Sequence, residues 1–218
     1  MLACLTGCSG SNSSTDDGSE PTQLLTAAKQ ALDNAGSVEF TLSTDDLPSG
    51  TGGILRAHGT GTHAPAFDGD LSVSQSGLTV GAEVVAVGGK VYAKIGLLPT
   101  FTEIDPADYN APDPAALMNR QTGLSALLTE ATDVESDGQV RDGADLLTKI
   151  TGNVPGEAVA ALFPSADPVP DYAAAFTIDE DSQLRTVELT GPFYEGHGDV
   201  TYTVTIDSYG DRVEISAP

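Results

Sequence analysis

Phe67-Asp68-Gly69-Asp70-Leu71-Ser72-Val73-Ser74-Gln75-Ser76-Gly77-Leu78-Thr79-Val80-Gly81-Ala82-Glu83-Val84-Val85-Ala86-Val87-Gly88-Gly89-Lys90-Val91-Tyr92-Ala93-Lys94-Ile95 is the stretch from which the fold is read. Successive side chains of an extended chain point to opposite faces. Phe67, Gly69, Leu71 and Val73 therefore share one face of a segment that ends near Gln75. After Ser76-Gly77 the alternation restarts, with Leu78, Val80, Ala82, Val84 and Ala86 together. After Gly88-Gly89 it restarts again, with Val91, Ala93 and Ile95 opposite Lys90, Tyr92 and Lys94. Ser-Gly and Gly-Gly between alternating runs signal two-residue hairpins. The stretch predicts antiparallel strands with one apolar face.

The pattern extends outward from there. Upstream, Val38, Phe40 and Leu42 share a strand face. Before them, residues 21–34 read as a helix, with Thr22 as a cap, an apolar stripe of Leu24, Leu25, Ala28, Ala31 and Leu32, and Gly36 as its end. Downstream, residues 105–132 turn Pro-rich and then helical. Pro114 suits a first helical turn followed by Ala115, Ala116, Leu117 and Met118; Gly123 opens a short helix carrying Leu124, Leu127 and Leu128. A strand is expected at 146–150, then a helix from Pro155 with Val159, Ala160, Leu162 and Phe163. Strands are expected again at 173–178, 183–189, 200–206 and 212–215. Strands at both ends, helices in the middle and no βαβ alternation predict an α+β fold. It has one domain, residues 21–218, with a single large antiparallel sheet and the helices gathered on one face. No apolar run is long enough to span a bilayer.

Charge narrows the function. Nine Lys and Arg stand against 32 Asp and Glu, a net charge of −23. Such a field repels phosphate backbones and anionic head groups, so neither nucleic acid nor charge-driven membrane docking is expected. Aromatics are few (six Tyr, six Phe, no Trp), so the core must be built largely from Val, Leu, Ile and Ala. Both cysteines, Cys4 and Cys8, lie at the start, and no disulfide can staple the rest.

Leu5-Thr6-Gly7-Cys8 resembles a lipobox, the processing site of bacterial lipoproteins. Small residues before the cysteine admit a peptidase, and the Cys8 thiolate takes the diacylglyceryl group. Residues 8–20 then form a Ser/Gly/Asp tether. A signal peptide has a charged start and an apolar stretch of about 7–15 residues. Residues 1–7 lack both, so they read as a leader remnant with the true start upstream. The expected location is the extracytoplasmic face of the cell membrane, held by lipid on Cys8.

Signatures of chemistry are missing. His58, His63 and His197 sit near glycines, as solvated loop histidines do, and their spacing matches no zinc motif. There is no nucleophile elbow, phosphate-binding loop or H-E-x-x-H. Asp133-Val134-Glu135-Ser136-Asp137-Gly138 starts like a calcium loop, but its twelfth position is Ala144 instead of Glu, which favours an acidic turn. Asp179-Glu180-Asp181 reads as a hairpin turn. Lys90, Tyr92 and Lys94 suit either a head-group contact or, the favoured reading, an outer solvated face. No cofactor, metal or enzyme activity is expected.

Several segments, taken in order, resemble the mycobacterial LppX/LprA/LprF/LprG lipoprotein family. They are the lipobox and early helix; Val87-Gly88-Gly89-Lys90-Val91-Tyr92-Ala93; Ile104-Asp105-Pro106-Ala107-Asp108-Tyr109; Asp113-Pro114-Ala115-Ala116-Leu117; Gly123-Leu124; Pro168-Val169-Pro170; and Ser208-Tyr209-Gly210. The resemblance implies a LolA-like half-barrel, a curved sheet with helices over its concave face and acyl chains between. It implies cargo such as triacylated glycolipid, triacylglycerol or a related long-chain lipid, and for some members a membrane exporter as partner. The acidic charge and missing tryptophan depart from the family and bear on cargo more than on fold.

On this reading Leu71, Val73, Leu78, Val80, Val84, Val91 and Ala93 line a lipid cavity. Leu117, Met118, Leu124, Leu127, Leu128, Val159, Leu162 and Phe163 are its helix cover. Room for two or three chains calls for about 1,000 Å³ or more. Periodicity alone leaves a second outcome open: a filled core in a structural or adhesion lipoprotein. A hydrolase with an unrecognised site is the third.

Overall fold

A computed structural model describes residues 19–75, 77–143 and 145–218. The chain opens with α1 (Ser19–Asn34), then β1 (Ser37–Ser43), β2 (Gly53–Thr62), β3 (Ala66–Gln75), β4 (Leu78–Val87), β5 (Lys90–Ile95) and β6 (Thr102–Ile104). Two 3-10 turns, Pro106–Tyr109 and Ala116–Met118, precede α2 (Leu124–Glu130). There follow β7 (Thr132–Asp142), β8 (Asp145–Val154), α3 (Gly156–Leu162), β9 (Tyr172–Ile178), β10 (Leu184–Gly191) and β11 (Val200–Gly210). All strands join one antiparallel sheet in the order β6-β5-β4-β3-β2-β1-β11-β10-β9-β8-β7. The sheet is open, with β6 and β7 as its edges.

The expected β3–β5 meander forms in register, with Leu71 opposite Ala82 and Val84 opposite Ala93. Gly88 and Gly89 both take positive φ, +63° and +74°, as a type I′ hairpin turn requires. On the outer face Lys90 pairs with Glu103 and Lys94 with Glu83. That satisfies the lysines without a ligand.

Several expectations are corrected. Thr22 lies inside α1, where its carbonyl accepts from Thr26 Oγ1, and does not cap it. Pro114 leads into one 3-10 turn, not a full helix. Residues 133–138 belong to β7, an exposed edge strand with irregular pairing to β8, and not to a turn. Residues 212–215 form no strand: pairing ends where Gly210 meets Ser37 at the start of β1. His58 sits on β2 instead of a loop. His63 is half-buried, its ring nitrogens 2.7 Å from the Leu32 carbonyl oxygen and 2.8 Å from that of Met118, so it ties the end of α1 to the second 3-10 turn. The 179–181 turn forms as expected, with Asp179 Oδ1 accepting from the Asp181 and Gln183 backbone N–H groups.

Aromatic side chains of the core gather at β9–β11. Phe163, Tyr172, Phe193 and Tyr202 form a ring cluster with centroids 4.8–5.3 Å apart. Tyr202 donates its hydroxyl to the Ile54 carbonyl and accepts from Tyr194 at 2.7 Å; Tyr209 donates to Leu184 O. Burial pushes the Tyr172 hydroxyl up to about 12 and raises Tyr194, Tyr202 and Tyr209 as well. Each shift favours the neutral phenol in the folded chain. The stability it contributes is whole below the ordinary tyrosine value of about 10 and is lost as pH rises through the raised values. Urea midpoints followed by circular dichroism should therefore hold level up to about pH 10 and fall steadily beyond it. A midpoint that does not change as pH climbs to about 12 contradicts the role given to these hydroxyls.

Candidate functional site

The concave face is covered in two different ways. Over one half lie α1, α2 and α3. Leu117, Met118, Leu124, Leu127, Leu128, Val159, Leu162 and Phe163 are all buried there, within the main core. Over the β3–β5 half the described residues supply a strap, 104–114. Proline at 106, 112 and 114 keeps it from forming a regular helix or strand. Asp105 caps its single 3-10 turn by accepting from the Ala107 N–H, and Asp113 accepts from the Ala115 N–H. Asn110 holds a left-handed backbone (φ +51°) and reaches the Gly52 carbonyl only at 3.5 Å.

Between strap and sheet lies a cavity of about 190 Å³. Its floor is Leu71, Val73, Val80, Ala82, Val84, Val91, Ala93 and Ile95. Its roof is Ile104, Pro106, Tyr109, Ala111, Pro112 and Pro114, and Gln75 is a polar side chain on its wall. Leu71, Val73, Val80, Val84, Val91 and Ala93 are thus brought together where the sequence placed them. Leu78 is not: it stands 69% exposed beside the hairpin turn, at the far end of β4. The helix residues do not line this cavity either. Their apolar stripes fill the other half of the face, and Phe163 belongs to the ring cluster. The volume is also well below the expected 1,000 Å³. Cys8 lies outside the described residues.

The roof was missed because prolines show no periodicity. The available signal was the run of Pro106, Pro112 and Pro114, too stiff for a helix, with Ile104, Tyr109 and Ala111 set between Asp105, Asp108 and Asp113.

A larger hollow, about 790 Å³, lies at the other end of β3, between Gly36, His63 and the 212–215 tail. Arg120, Arg212 and Glu214 are on its wall. Its lining is mixed: Ala35, Val87, Val213 and Ile215 stand among these charged side chains and His63, so it is less suited to acyl chains than the aliphatic space under the strap, although larger. No group of three or more His, Asp or Glu side chains among the described residues is placed to hold a metal. No helix among them is long and apolar enough to cross a membrane.

The family model described as LppX_LprAFG lipoprotein matches residues 20–215. The chain belongs to that family. The "Lipoarabinomannan carrier protein LprG" of Mycolicibacterium smegmatis is 28% identical over 235 residues, covering 99% of this chain and 91% of that protein. The protein of the same name from Mycobacterium tuberculosis is 26% identical over 160 residues, 72% of this chain. The match spans only 64% of the M. tuberculosis protein. Among solved structures, LprF from Mycobacterium bovis superposes with a TM-score of 0.72 at 16% identity, covering 91% of this chain and 97% of LprF. LppX from M. tuberculosis gives 0.64 at 17% identity, covering 90% and 98%. These likenesses fix the fold.

The cavity makes a direct mutational test. In a filled core, Leu71→Trp or Val80→Trp adds bulk with nowhere to go and costs about 1–3 kcal/mol. Against this cavity the ring has space, so the unfolding free energy from urea titration should change by less than about 1 kcal/mol while binding of a fluorescent long-chain lipid falls. A large loss of stability in both variants means that the space is closed in solution.

Proposed function

We propose that this protein is an envelope lipoprotein that carries or presents long-chain acylated lipids, holding their chains against the inner face of β3–β5. The observation that carries the reading is the apolar cavity under the strap. Its walls are aliphatic, and each buried CH₂ contributes about 0.8 kcal/mol, so a chain is held without a dedicated polar partner. The family and the carrier name of the LprG relatives support the same assignment. The cargo class is a triacylated glycolipid, triacylglycerol or related lipid, with its head group left outside, and a membrane exporter is the proposed partner. A space of about 190 Å³ holds only part of such a molecule. The strap is the wall that gives way: β6 pairs with β5 over only three residues, Thr102, Glu103 and Ile104. Nothing is done to the cargo chemically. Cys8 is the proposed site of the diacylglyceryl anchor on the extracytoplasmic face.

The modest volume and the dense ring cluster favour one competing reading, a structural lipoprotein with no ligand. Native mass spectrometry of the protein from an actinobacterial host, followed by lipid extraction, separates the two. The carrier reading expects mass increments equal to those of extracted long-chain lipids, reduced in Leu71→Trp. A ligand-free mass, with no lipid in the extract, supports the structural reading. Recovery of a cleaved lipid generated by the purified protein would point to an enzyme instead.

The anchor has its own test. A chain expressed with a complete leader should fractionate with membranes, since two or more acyl chains give stable attachment. Cys8→Ser should then be released from membranes by dilution and washing, and its retention in the pellet through repeated washes means the anchor is elsewhere.

A further inference from the structure

The cavity reaches one end of the β3–β5 meander at Gln75, Val80 and Ile95. At that same end stand three exposed leucines: Leu78 at 69%, Leu97 at 103% and Leu98 at 55%. Leu78 is opposite Gln75 in the ladder. Leu97 and Leu98 follow β5 in a fixed turn, because the Gly96 N–H donates to Gly81 O at 2.9 Å and the Leu98 N–H to Ile95 O at 3.2 Å. Gly96 takes φ +60° to make that turn. Leu97 and Leu98 are therefore held at the surface by a hydrogen-bonded turn.

Charge marks the same place. Charged residues make up 19% of the chain, yet residues 71–82 and 95–102 contain none. The nearest ion pair on these strands, Lys94–Glu83, lies just below them on the outer face. An acidic protein is repelled by anionic head groups, and carboxylates resist transfer out of water. A charge-free tip bearing leucines is the part that can pass the head groups and gain from burial at the acyl boundary.

We propose that this tip, Leu78 with the Leu97–Leu98 turn, docks on a lipid bilayer and is the port through which acyl chains pass between membrane and cavity. The proposal rests on the carrier reading for its cargo. A chain leaving the bilayer beneath Leu97 and Leu98 meets Ile95 and Val80 next, so it crosses from hydrocarbon to cavity with little exposure to water. A second copy of this chain is the competing occupant of the leucines.

The test uses the full chain carrying Cys8→Ser, so that no lipid anchor contributes. It compares this parent with the Leu97→Ser/Leu98→Ser double variant and with Leu78→Ser, all at exposed positions where thermal unfolding should be unchanged. Flotation is measured with phosphatidylcholine vesicles with and without phosphatidylglycerol. Lipid uptake is measured both from those vesicles and from a cyclodextrin complex without any bilayer. The expected result is that the parent floats and that the double variant partitions at least about tenfold less. Extraction from vesicles should slow to match, while uptake from cyclodextrin stays the same. Equal flotation of parent and double variant overturns the proposal, as does a parent that does not float. A concentration-dependent dimer of the parent that is lost in the variant overturns it in favour of the second copy. If no form takes up lipid from cyclodextrin, the carrier reading fails and the port falls with it, even where leucine-dependent flotation persists.

Discussion

An eleven-stranded sheet exposes more apolar face than one helix of 16 residues and two of 7, the helices among the described residues, can cover, and the rest of this molecule follows from that shortfall. An apolar sheet face must be packed against something or it destabilises the fold. The α1–α3 helices meet the demand over one half, with Leu25, Ala28 and Leu32 of α1 fully buried beside Leu127 and Leu128 of α2. Over β3–β5 the cover that the described residues supply is a proline-stiffened strap. A helix fills the grooves of a sheet with side chains at every turn; a strap touches it at a few points. A gap between strap and sheet is the geometric result.

The distribution of rings reinforces the division. Aromatic side chains bury the most area and fill space most rigidly. In this chain, poor in aromatics, four of them pack on one another at β9–β11, and Phe40 packs on Phe67 at 5.5 Å near the sheet's middle. The cavity has Tyr109 as its ring and is otherwise walled by Leu, Val, Ala, Ile and Pro, with Gln75 at its open end. Even Phe67 is accommodated by small partners: a Cβ on Gly59 or on Gly69 would fall 2.7 Å from its ring. One half is thus built to be rigid and full, and the other from residues that close onto a flexible chain or onto each other with little strain.

What could be read from the sequence depended on whether a residue's neighbour was encoded nearby. The β3–β5 meander was legible because alternation and glycine turns are local, and six of the seven strand residues read as cavity-facing do line the cavity. β2 was passed over because its inner positions Gly59 and Gly61 carry no side chain; Phe67 and Met118 occupy that space from elsewhere in the chain. β7 was hidden for the opposite reason: as an edge strand it buries little, so polar residues fill both of its faces. Leu78 obeys the alternation rule, but β3 ends opposite it, so no wall continues over its side chain. The helix stripes were recognised as apolar, but a stripe does not state which part of a sheet it will meet. That information lies in contacts between segments distant in sequence.

The chemistry of the walls limits what such a cavity can distinguish. Aliphatic surfaces reward buried area and have no preferred direction, so they count methylenes instead of identifying atoms. Selection for a particular head group requires polar side chains with fixed geometry at the rim. Here the polar side chains on the wall are Gln75, at the open end, and Tyr109 in the roof. Neither is held by another side chain through a hydrogen bond that would fix its orientation, so neither is set to read a sugar or a phosphate in one pose. Under the proposed carrier role, chain length and number are the properties such an interior sorts, and head-group choice falls to whatever delivers the lipid or receives it.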